Sequence, residues 1–98
     1  MQNQITNQRE LYREAVIDWL MRNEYNATEH IIDIIISVLM TRDSVLIGGD
    51  FAKAVCNNDL RGVVSKADTE VFENLKKIMS AYHNISIYEY QNFYKQTK

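Results

Sequence analysis

The chain contains no proline, and its three glycines stand at positions 48, 49 and 62, so little in it breaks a helix or forms a tight hairpin turn. Cys56 is the only cysteine, which excludes an intramolecular disulfide and a cysteine-based zinc cluster and favours a reducing, cytoplasmic setting. Long apolar runs are missing too. The greasiest stretch, residues 31–40, holds Asp33 and is half the roughly 20 residues that a membrane-crossing helix needs. The first nine residues are polar and lack the basic-then-apolar order of a secretory leader, so neither export nor membrane insertion is expected. A positive excess is equally absent: the net charge is −2, whereas most nucleic-acid-binding chains carry a basic surface to neutralise phosphates. Nor is there a nucleophile elbow, a Walker-type phosphate loop, a metalloprotease His-Glu motif or a dinucleotide fingerprint. No catalytic residue, cofactor or metal ligand is therefore assigned, and a non-enzymatic protein is expected.

What is present suits a small globule. At 98 residues, with 46% apolar and 24% charged side chains, the chain has room and composition for a single domain, 1–98. In residues 7–23, Leu11, Tyr12, Ala15, Val16, Trp19 and Leu20 fall on one half of a helical wheel, with Thr6 as the expected cap. Residues 28–41 are apolar nearly all round when drawn as a helix capped by Thr28, with Asp33, Ser37 and Thr41 as a narrow polar stripe, the pattern of a central helix. Short helices are expected over 50–57 and 60–66, separated by Asn57, Asn58 and Asp59. Asp68 caps a longer helix to about His83, and Ser86 with Glu89 forms a capping box for a last helix reaching about Lys95. The expected fold is all-α, a compact bundle of about five helices. Because residues 31–40 are rich in β-branched isoleucine, a small hairpin over 31–47 in an α+β fold is the alternative.

Most of the chemically suggestive residues have plain explanations. Gly48-Gly49-Asp50 superficially resembles a phosphate cradle, but an aspartate at the cap would take the amide donors and repel an anion. Glu29, His30 and Asp33 form an incomplete metal-ligand set, and Cys56, beside Val55, reads as a small buried hydrophobe. Three features remain. Ile17 and Met21, four apart, sit among Glu10, Arg13 and Glu14 outside the apolar face of the first helix, where they form a candidate contact patch. Tyr88 is the one aromatic near the C-terminus that helical periodicity leaves exposed; Ile87, Tyr90, Phe93 and Tyr94 share a face beside Lys95 and Lys98. Residues 50–68 resemble a helix-turn-helix whose second helix would offer Arg61, Ser65 and Lys66 to DNA.

Up to Asp50 the chain has four Lys/Arg against eight Asp/Glu, and beyond it seven against five, so the C-terminal half is mildly basic. Plentiful Ile, Asn, Lys and Tyr without proline suggest an AT-rich coding source, bacterial, phage or mobile-element. The leading expectation is a small protein that binds another protein as a regulator or inhibitor, forming homodimers through Ile17 and Met21 and making contact through Tyr88. The alternative is a DNA-binding transcriptional regulator using residues 50–68.

Overall fold

The computed structural model describes residues 2–94, and the side chains of residues 8–93. Seven helices are present among them: α1 (Gln2–Arg22), α2 (Glu29–Arg42), α3 (Asp50–Cys56), α4 (Leu60–Lys66), α5 (Thr69–Glu73), α6 (Leu75–Asn84) and α7 (Ile87–Glu89), the last running into a π-helical turn, Tyr90–Tyr94. The all-α expectation holds, and the hairpin over 31–47 does not form. Residues 29–42 are one helix, and no strand occurs among the described residues. An isoleucine-rich segment stays helical here because Thr28 accepts the Ile31 N–H at 3.3 Å and neighbouring helices bury Ile31, Ile32, Ile35, Ile36, Val38, Leu39 and Met40. A helix enclosed in this way can use apolar side chains on nearly every face.

Around α2 pack α1, α3, α5 and α6. From α1 come Tyr12, Ala15, Val16, Trp19 and Leu20; α3 gives Ala52, Ala54 and Val55, and α6 gives Ile78 and Ala81. The Cα radius of gyration is 13.2 Å, close to the roughly 13 Å of a compact chain of this length.

Two element boundaries differ from the sequence reading. The first helix begins at Gln2, so Thr6 lies within it and is not its cap. The long helix expected over 68–83 is broken at Asn74, whose Nδ2 donates to the Glu70 carbonyl at 2.8 Å and whose backbone leaves helical geometry at φ −111° and ψ 16°. An asparagine amide competing locally for the backbone is a sufficient cause. This break divides one expected helix into two and brings the number to seven where about five were expected, while the last expected helix shortens to α7 before the π-helical turn. Lys95 and Lys98 lie outside the described residues, as does the side chain of Tyr94.

One polar node ties the bundle together. The Arg42 guanidinium donates through Nη1 to the carbonyls of Tyr82 and Ile85 at 2.7 and 3.0 Å, through Nε to Asp43 Oδ1 at 2.7 Å, and through Nη2 to Asp43 Oδ2 at 3.0 Å. Tyr12 Oη donates to the same carboxylate at 2.7 Å. The end of α2 is thereby joined to the end of α6, where a cation also complements the helix dipole.

Candidate functional site

The helix-turn-helix expectation falls on α3 and α4, which pack against each other across the turn 57–59. Asn58 sits in the left-handed region at φ 58°, a conformation asparagine tolerates better than most residues. Asp59 then caps α4, its Oδ1 accepting the Gly62 N–H at 3.1 Å. Gly62 has a definite reason to be glycine: a Cβ there would lie 2.5 Å from Asp59 Oδ2 and 3.0 Å from the Ala54 Cβ, so its absence lets α3 and α4 approach closely.

Each residue expected to read DNA is exposed, but the face they share is mixed. Arg61 has no ion-pair partner among the described residues, and Ser65 Oγ donates back to the Gly62 carbonyl at 3.4 Å. Lys66 Nζ lies 4.0 Å from Asp50 Oδ2. Leu60 and Val64, one turn apart, are 76% and 48% exposed, and at about 100° per residue they fall next to Arg61 on the outward side of α4. Only Val63 turns fully inward. Beside Leu60 opens a mostly apolar cleft of about 130 Å³, walled by Val55 and Val63 on one side and by Leu75 and Met79 of α6 on the other. Phe72, expected in the core, is 54% exposed; it precedes Leu75 by three residues and Met79 by seven, spacing that extends the apolar stripe along α5 and α6.

The other expected contact residues lie elsewhere. Met21 and Tyr88 are 72% and 70% exposed, whereas Ile17 is half-buried and packs against the core. Tyr88 belongs to α7, which lies along the flank of α1 where Tyr90 meets Glu14. Ile17 falls on the opposite flank with Arg13, which pairs with Glu29 of α2 at 2.9 Å. The structure therefore does not gather Ile17, Met21 and Tyr88 into one patch. Phe93 is exposed as well, because the π-helical turn shifts the register that was expected to align it with Ile87 and Tyr90.

Glu29, His30 and Asp33 each face a different partner: Arg13, Asp68 and Arg9. The His30 Nε2 to Asp68 Oδ2 distance is 2.9 Å. The Val71 N–H and then His30 hold the Asp68 carboxyl below its usual range. At the Gly48-Gly49 turn the cap of α3 is Gly49, and Asp50 is the first helical residue, with no side-chain cap bond. Cys56 is half-buried and its Sγ donates to the Val38 carbonyl at 3.6 Å; burial pushes its thiol pKa up, the opposite of an activated thiolate.

Sequence reasoning missed Leu60 and Val64. The signal was the spacing: an i, i+4 apolar pair on a seven-residue helix, with Val63 and Gly62 already filling the inward side. No family model, curated protein or solved structure matches the chain.

Proposed function

We propose that this is a non-enzymatic protein that docks onto another protein, as a regulator or inhibitor, through the outward face of α4 and the apolar cleft beside it. The observation that carries this reading is the exposure of Leu60 at a cleft walled by Val55, Val63, Leu75 and Met79, with Val64 exposed one turn along the same helix. An apolar side chain of the partner seated in that cleft would bury Leu60 with it, and full burial of a leucine contributes about 1.5–3 kcal/mol. Leu60→Glu should therefore weaken capture of the partner by at least about tenfold while leaving the fold intact, because the side chain makes no buried contact of its own. Retention of the same partner by Leu60→Glu at unchanged stoichiometry would contradict the reading. Self-association through Ile17 and Met21 is the lesser form of it, since Ile17 already contributes its side chain to the core.

The DNA-binding reading keeps one favourable observation, the close α3–α4 packing at Ala54 and Gly62 with Arg61 and Ser65 outward. Against it, half of the outward face of α4 is Leu60 and Val64, side chains that neither bond base edges nor neutralise phosphates. It requires duplex retardation at low salt that weakens steeply with added salt and is lost in Arg61→Ala.

A further inference from the structure

We draw no further inference here: the strongest candidate, the exposed apolar face of α4 with the cleft that it shares with α6, belongs to the site already described, and charges of both signs beside it, Arg61 and Asp59, select no particular occupant.

Discussion

At the scale of single residues, the polar node of Arg42, Asp43 and Tyr12 sets how the protein responds to acid and base. Burial alone would raise the Asp43 carboxyl, but hydrogen bonds from Arg42 and Tyr12 outweigh it and hold its pKa below the ordinary 3.8. Between the folded and unfolded values the unfolded chain binds the extra proton, so stability rises with pH in that window. The contribution is complete above the ordinary value and is lost as pH falls through the folded one. Acid titration of stability should therefore be shallower in Asp43→Asn, and a slope identical to the wild type would contradict the assignment. Tyr12 behaves in the opposite sense. Burial, followed by its bond to Asp43, raises its pKa above the ordinary 10.0, so the stability it contributes is present below pH 10 and declines above it as the unfolded chain releases the proton. Ultraviolet titration should show one phenol that ionises only as the protein unfolds. Truncation of Arg42 to alanine leaves two helix-terminal carbonyls without this donor and a half-buried carboxylate with only the Tyr12 hydroxyl, which should cost about 2–3 kcal/mol in urea unfolding.

Among the elements, the scarcity of glycine has a structural consequence. α1, α2 and α3 all close with a non-glycine residue in the left-handed region: Glu24 at φ 58°, Ser44 at 63° and Asn58 at 58°. Each is followed by an amide bonding back across the last turn: Tyr25 to Leu20, Val45 to Met40 and Asp59 to Ala54, at 2.9, 2.9 and 2.8 Å. These are Schellman closures built without the residue that favours them. Glu24→Gly and Ser44→Gly should each stabilise the protein by about 0.5–1 kcal/mol, measured as a rise in the urea midpoint. Gly62→Ala should do the reverse despite the better helix propensity of alanine, because its Cβ would displace the Asp59 cap and press on Ala54. Loss of that cap is worth about 1 kcal/mol. Much of this layer was legible in the sequence. Thr28, Asp68 and Ser86 do cap the helices expected of them, since capping depends on residue type and spacing over one turn. The break at Asn74 and the π-helical turn at 90–94 were not legible, because each depends on competition between a local bond and tertiary packing that periodicity does not encode.

For the whole molecule, most of the exposed large hydrophobics among the described residues fall into two sets, with Ile47 standing apart in the loop between α2 and α3. Leu60 and Val64 belong to α4, which borders the 130 Å³ cleft, with Phe72 on the neighbouring α5, and Met21, Tyr25, Tyr88 and Phe93 belong to the α1–α2 and C-terminal end. The sequence identified Met21 and Tyr88 in the second set. It could not single out the first, since the cleft between α4 and α6 exists only once α3 and α4 have folded back onto α2 and α6. The core beneath both sets depends on α2. Ile36→Ala, at a position fully buried in its centre, should cost about 2–5 kcal/mol, a large part of the 5–15 kcal/mol that holds a typical domain together. By contrast Leu60→Glu should leave the melting temperature nearly unchanged and affect only association. The most direct test is a nuclease-treated affinity capture from source lysate, run side by side with wild-type protein and Leu60→Glu and read by mass spectrometry. A stoichiometric protein held by the wild type, indifferent to nuclease and lost from Leu60→Glu, is the expected result. A partner retained equally by Leu60→Glu, or one that disappears with nuclease, would contradict docking through α4.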